Sequence, residues 1–159
     1  MSLLASETKY DLKPEVIDNL AKIRQANIDA ADGFTEAAKH LDDPTLKSKF
    51  EKWAQQRRAN STELGELIEI NGEEIDREGS WLAAFHRCYL NMKAALTSDD
   101  KQTVLEEAEA GEDHIKEAYE EVLKDTPGSA VNDVIQHQYA EVKKVHDEVR
   151  DLRDSYKQS

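Results

Sequence analysis

The stretch that decides the fold runs from Pro14 to Leu41 and reads PEVIDNLAKIRQANIDAADGFTEAAKHL. Its inward positions follow alternating steps of three and four residues, the spacing of one face of an α-helix in a bundle. These positions are Val16, Leu20, Ile23, Asn27, Ala30, Phe34, Ala37 and Leu41. Pro14 suits the first turn of a helix, where its missing N–H is not needed. The pattern therefore predicts a long helix that begins at Pro14.

The same periodicity recurs along the rest of the chain and predicts an all-α fold. Asp43 can cap a second helix that starts at Pro44, and Asn71 with Gly72 can end it. The further predicted helices cover about residues 81–96, the segment from Thr97-Ser98-Asp99 to residue 125, and about residues 131–156, the last one capped by Ser129. No alternation of the kind that marks β-strands is present in the sequence.

The lengths of these helices predict how they are connected. Four are long, and a short one lies between the second and third long helices. Two hairpins joined by one long connection are the topology of a ferritin-like four-helix bundle, here with a short extra helix in the crossover. We expect a flexible N-terminal arm over residues 1–13 and a single bundle domain over residues 14–157.

The composition narrows the partners that the protein can have. The 159 residues include 34 acidic and 21 basic ones, for a net charge of −13, which disfavours nucleic acid and anionic membranes. No apolar run approaches the length of a membrane span. The single cysteine, Cys88, fits a reducing compartment, so we expect a cytoplasmic protein. An acidic surface could recruit a basic protein partner, and nothing in the sequence identifies one.

Four polar residues occupy inward positions, where burial without a partner is costly: Asn27, Arg57, Glu112 and Gln138. At 1.5 Å per residue, the first three lie at about the same depth, roughly 20 Å from the first turn, with Asp29 beside them. A structural network of Asn27, Asp29, Arg57 and Glu112 is one interpretation. A metal site and a pocket for an organic ligand are the others.

Ferritin-like di-iron sites place a glutamate three residues before a histidine, so that both side chains point to the metal. None of the five histidines has a glutamate three residues before it, so the Glu-x-x-His motif is absent from the sequence. Glu109-x-x-Glu112 is one of the weak fragments that remain, and His146 lies near the depth of Glu109. No nucleophile–base pair and no phosphate-binding glycine loop is present, which favours a non-enzymatic role.

Short motifs in a fixed order carry a family resemblance. Asp29-x-x-x-Gly33-Phe34-x-x-Ala37-Ala38 resembles the signature of a bacterial ferritin-like domain family of unknown function that is related to rubrerythrin. The further matching positions, in chain order, are Arg57, Glu63-Leu64, Gly72, Gly79-Ser80, His86-Arg87, Gly111-Glu112-Asp113, Tyr119, His146-Asp147 and Leu152-Arg153. The resemblance extends over about residues 15–153. The sequence departs from it at Cys88-Tyr89, where the family has a small residue and a tryptophan.

The resemblance implies a ferritin-like bundle with a cytoplasmic, stress-associated role and no assigned reaction. The metal ligands that it suggests are Asp29, Glu63, Glu112 and His146, with His86 as a further site residue. We assign no cofactor; iron and manganese are the candidate metals. A metal-dependent oxidoreductase or metal-storage protein is the alternative function. The aromatic residues Trp81, Phe85 and Tyr89 of the short helix suggest a homo-oligomer.

Overall fold

The computed structural model describes residues 12–71, 80–98, 100–125 and 131–158. These residues form five helices: α1 Pro14–His40, α2 Pro44–Asn71, α3 Ser80–Thr97, α4 Lys101–Asp125 and α5 Asn132–Gln158. No strand occurs among them. The prediction of an all-α chain is confirmed. None of the described helices is both long enough and apolar enough to cross a bilayer.

The helix starts follow local capping chemistry. The Asp43 carboxylate accepts hydrogen bonds from the backbone N–H groups of Thr45 (2.9 Å) and Leu46 (3.2 Å), as predicted for the start of α2. The predicted start of the fourth helix at 97–99 is wrong. There α3 continues through Thr97, and Asp100 caps α4 by accepting from the Thr103 backbone N–H at 3.1 Å. The predicted cap at Ser129 lies outside the described residues.

The helices pack as two hairpins with α3 between them. α1 packs against α2, and α4 packs against α5, each pair being antiparallel. α3 packs along both α1 and α4 and runs back toward the turn between α1 and α2. α3, the described part of the connection between the hairpins, thus lies against one helix of each hairpin. All eight inward positions predicted for α1 are buried.

An aromatic cluster fills the core beside this connection. The Phe34 ring lies 5.5 Å from Phe50, 5.7 Å from Trp53 and 5.7 Å from Tyr89, in edge-to-face arrangements. These residues come from α1, α2 and α3, so the cluster joins α3 to the first hairpin.

Tyr89 is seated between two glycines on neighbouring helices. A Cβ atom on Gly33 of α1 would lie 2.3 Å from Tyr89 Cδ1, and one on Gly111 of α4 would lie 2.8 Å from Tyr89 Cε2. Any side chain at either glycine would displace the ring. Phe85 is buried as well, so two of the three aromatic residues that suggested a homo-oligomer belong to the core of this chain. The oligomeric state stays a prediction.

Candidate functional site

An ion pair occupies the middle of the protein. Arg57 of α2 and Glu112 of α4 are both fully buried, and their side chains meet in a bidentate arrangement. Nη1 donates to Oε2 at 2.9 Å and Nη2 donates to Oε1. A guanidinium and a carboxylate match in this geometry because both groups are planar and forked. The pair links two helices from different hairpins.

The surroundings favour the charged form of Arg57. Burial opposes the charge of the guanidinium, but Glu112 more than offsets it, so the pKa of Arg57 is raised. The Tyr89 hydroxyl donates a third hydrogen bond to Glu112, at 3.0 Å. Burial, reinforced by Glu112, raises the pKa of Tyr89 well above its usual value, and the tyrosine stays a donor. Arg57 also lies over the Phe34 ring, 5.8 Å from its centroid.

A separate series of hydrogen bonds runs from the core to the surface, next to the Arg57–Glu112 pair. Asn60 donates to Asn27 (3.4 Å), and Asn27 donates to the Tyr119 hydroxyl (3.0 Å). Tyr119 in turn donates to Gln138 (2.6 Å), which donates to the Glu63 carboxylate at 2.7 Å. Burial raises the pKa of Tyr119. These hydrogen bonds give a partner to the polar side chains that each of the four long helices places in the core.

Asp29 lies apart from both groups. It is partly exposed, and its carboxylate accepts from Gln25 at 3.1 Å and lies 3.3 Å from Nδ1 of His86 on α3. The first motif of the family resemblance is thereby connected to His86. Asp29 is therefore a link between α1 and α3 near the surface.

A third cluster lies between α4 and α5 and is called here the lateral cluster. It consists of Glu109 and Asp113 of α4 and His146 of α5, and one ligand atom from each lies within 4.8 Å of the others. His146 Nε2 is in contact with Asp113 Oδ1 and lies 3.7 Å from Glu109 Oε1. Glu109 and Asp113 are one helical turn apart, so their carboxylates project from the same face of α4.

Two further residues orient the members of the lateral cluster. The second ring nitrogen of His146, Nδ1, lies 3.1 Å from Asp147 Oδ1, and this hydrogen bond lowers the pKa of Asp147. Arg153 Nη1 lies 3.0 Å from Glu109 Oε2 and so fixes one carboxylate oxygen while the other faces His146. A carboxylate behind the imidazole is the usual support of a metal-binding histidine.

The structure does not bring the four predicted metal ligands together. Glu112 is bound to Arg57, Glu63 to Gln138, Asp29 to His86, and His146 to the lateral cluster. Within the predicted polar network, Arg57 and Glu112 are in contact, whereas Asn27 bonds to Asn60 and Tyr119. Asp29 is in neither group.

Several residues of these sites were not recognised as such in the sequence. Tyr119 appears in the sequence only as a position of the family resemblance, although a tyrosine hydroxyl that is buried requires a partner. Asp113 stands out in the sequence only as part of a motif of the family resemblance. Its spacing of four from Glu109 was the signal that could have identified it, together with the matching depth of His146.

The remaining candidate groups offer less chemistry. Burial and the nearby Glu107 raise the pKa of the Cys88 thiol, so it is a weak nucleophile. His137 is exposed on α5 and pairs with Glu141 at 3.1 Å in the same helix. It provides a useful comparison for His146.

Comparison with protein families identifies the class to which the chain belongs. Residues 15–125, more than half of the chain, match the family described as "Domain of unknown function (DUF2383)". The chain belongs to this family. The match spans α1 to α4 and includes Arg57, Glu109, Glu112 and Asp113, while α5 with His146 lies beyond it. Comparisons with curated proteins and with solved structures gave no match.

Proposed function

We propose that this protein is a ferritin-like helical bundle that binds one divalent transition-metal ion at the lateral cluster. The carrying observation is the convergence of a histidine nitrogen and two carboxylate oxygens within 4.8 Å of one another. The binding role is non-enzymatic: the metal joins α4 to α5 at a point near the outside of the bundle.

The ferritin-like assignment rests on connectivity. Two antiparallel hairpins of long helices are joined by a connection that contains the short helix α3. A bundle with a single long crossover is the arrangement of ferritin-like folds. The family motifs also support it, since Gly33 and Gly111 both admit Tyr89 of the crossover helix.

The middle of the bundle does not suit the dinuclear metal centre of that superfamily. Such a centre needs several free carboxylates together with histidines. Here the central carboxylate, Glu112, has both oxygens bound to Arg57. The remaining polar side chains of the two central groups are amides, tyrosine hydroxyls and Glu63, which is already bonded to Gln138. The central groups therefore do not support an oxidase or ferroxidase role.

The lateral cluster suits a metal better than it suits a simple ion pair. One proton on Nε2 can be shared with one carboxylate, yet Glu109 and Asp113 both face that nitrogen. A divalent ion would be shared by all three groups and would relieve the repulsion between the two carboxylates. Imidazole and carboxylate ligands together favour manganese, iron or zinc. Three protein ligands would leave the other coordination positions to water.

Thermal unfolding in the presence of metal tests this proposal. Metal-free protein is titrated with Mn²⁺ and, separately, Zn²⁺, and bound metal is quantified after gel filtration. We expect the melting temperature to rise with metal concentration, because a ligand at a hundred times its Kd stabilises the native state by about 2.7 kcal/mol.

Two variants assign the effect to the cluster. His146→Gln should abolish both the retained metal and the thermal shift. His137→Gln is the matched control, because it removes a histidine from the same helix that pairs with a single carboxylate. Equal losses in both variants, or no bound metal in the unaltered protein, would overturn the proposal.

A further inference from the structure

A pocket lies between α1 and α2, at the end of the bundle opposite the connection from α2 to α3. Its lining is mainly positive, although the chain as a whole is strongly acidic. It has a volume of about 270 Å³ and is lined by Thr35 and Lys39 of α1 and by Lys47, Glu51 and Arg58 of α2. Three cationic side chains and one carboxylate thus surround it. The whole chain, by contrast, carries a net charge of −13.

The sequence of α2 explains where this positive charge comes from. Residues 44–59 contain five basic residues, Lys47, Lys49, Lys52, Arg57 and Arg58, and one acidic residue, Glu51. Arg57 points inward and is neutralised by Glu112. The other cations lie on the outer faces of the helix, and two of them, Lys47 and Arg58, face the groove against α1.

The cations of the pocket are oriented but are not neutralised. The Nη2 group of Arg58 donates to the Thr35 hydroxyl across the groove, which holds the guanidinium over the pocket and leaves its other N–H groups free to bind. Within the described part of the chain, neither Arg58 nor Lys47 has a carboxylate within 4.0 Å. Lys39 has only a 3.6 Å contact with Glu36 of its own helix. Three cations and one carboxylate therefore face the same pocket, which gives it a local excess of positive charge.

We propose that the pocket binds a small phosphate dianion. Its lining of three cations and one carboxylate has a formal charge of +2, which a phosphate monoester or inorganic phosphate neutralises at neutral pH. A guanidinium fork matches two phosphate oxygens, and the lysines supply point charges around it. The volume of about 270 Å³ admits phosphate with a short organic group. The site shares no residue with the lateral cluster, so each proposal can fail alone.

Isothermal titration calorimetry with two probes, inorganic phosphate and glycerol phosphate, tests this proposal on the full chain. Binding of either probe supports the site, and the tighter probe shows whether the free ion or an ester is preferred. Affinity should fall when salt is raised to about 0.15 M, because the contacts are charged and partly exposed.

Three substitutions on α2 separate the pocket from general positive charge. Arg58→Gln should weaken binding by about tenfold or more, since it removes charge-assisted hydrogen bonds. Glu51→Gln should strengthen binding, because it removes a carboxylate that repels the anion. Lys52→Gln, with the same loss of charge outside the pocket, should have little effect.

Two results would overturn the phosphate site. One is the absence of binding by both probes at low ionic strength. The other is a Lys52→Gln variant that loses as much affinity as Arg58→Gln, which would show that the anion responds only to the overall charge of α2. Circular dichroism of each variant confirms that its helices are intact.

Discussion

Replacing Glu112 by leucine leaves the guanidinium of Arg57 in the core without its carboxylate. The two hydrogen bonds from Arg57 and the one from Tyr89 lose their acceptor together. Arg57 Nε is already without a partner among the described residues, so the guanidinium would keep no hydrogen bond. Both side chains of the pair are fully buried, which prevents water from replacing the lost acceptor.

The cost can be estimated from this geometry. Removing one partner of a buried ion pair destabilises a protein by about 3–5 kcal/mol, because an uncompensated charge remains inside. For a chain of this size, each kcal/mol lowers the melting temperature by roughly 2–4 °C. Glu112→Leu should therefore melt about 6–20 °C lower. Arg57→Ala should be similarly destabilised, because it leaves the Glu112 carboxylate buried and also creates a cavity.

A double-mutant cycle measures the coupling between the two residues. Arg57→Met, Glu112→Leu and the double variant are unfolded in urea and followed by far-UV circular dichroism. The double variant should recover most of the stability that each single variant loses, since an apolar pair of similar volume replaces the ions. Its free energy of unfolding should come within about 1–2 kcal/mol of the unaltered protein.

Two results would refute this reasoning. If either single substitution costs less than about 1 kcal/mol, the pair is exposed to water and behaves like a surface ion pair. If the double variant is as unstable as the sum of the single ones, the two side chains do not interact. The denaturant slope must stay constant for either comparison to hold.

Two further predictions concern the tyrosines of the core. Gly111→Ala should cost about 1–3 kcal/mol by urea unfolding, because the new methyl group would overlap the ring of Tyr89. Gly65→Ala is its control, because there the methyl group meets the flexible side chain of Arg24. Its stability should be unchanged or slightly higher. Equal losses in both variants would refute the tight seating of Tyr89 against Gly111. Burial raises the pKa values of Tyr89 and Tyr119, so the folded protein keeps both protonated above pH 10 while the unfolded chain ionises them. Their contribution is complete below pH 10, and stability should then fall by roughly 1.4 kcal/mol per pH unit for each. Ultraviolet titration should show both ionising only on unfolding; normal titration in the folded protein would contradict the burial argument.

The sequence was sufficient for the helices because each depends on local repetition. The alternating spacing from Val16 to Leu41 specifies which face of α1 is buried, whatever lies opposite. The start of α4 was missed by a small margin, since Asp99 and Asp100 are adjacent and either side chain can cap a helix. In the structure α3 ends at Thr97, and the Asp100 carboxylate accepts from the backbone N–H and the hydroxyl of Thr103.

The candidate sites were harder to predict because they depend on how helices are rotated against one another. Depth along the bundle placed Arg57 level with Glu112, and the structure joins them. The same estimate placed Asp29 at that level, but Asp29 lies on another face of α1 and reaches His86. The depth of a residue along the bundle does not by itself predict its contacts. The direction in which its side chain points around the helix axis is needed as well.

The Arg57–Glu112 pair also has a consequence for the order of folding. The two helices of each hairpin are neighbours in the sequence, so α1 with α2 and α4 with α5 can form early and locally. The two charges lie 55 residues apart in the chain and lose their water together when the hairpins dock. Until the forked hydrogen bonds align, that loss of hydration is uncompensated. The docking of two preformed hairpins should therefore be the slow step, and an apolar pair at these two positions should accelerate it.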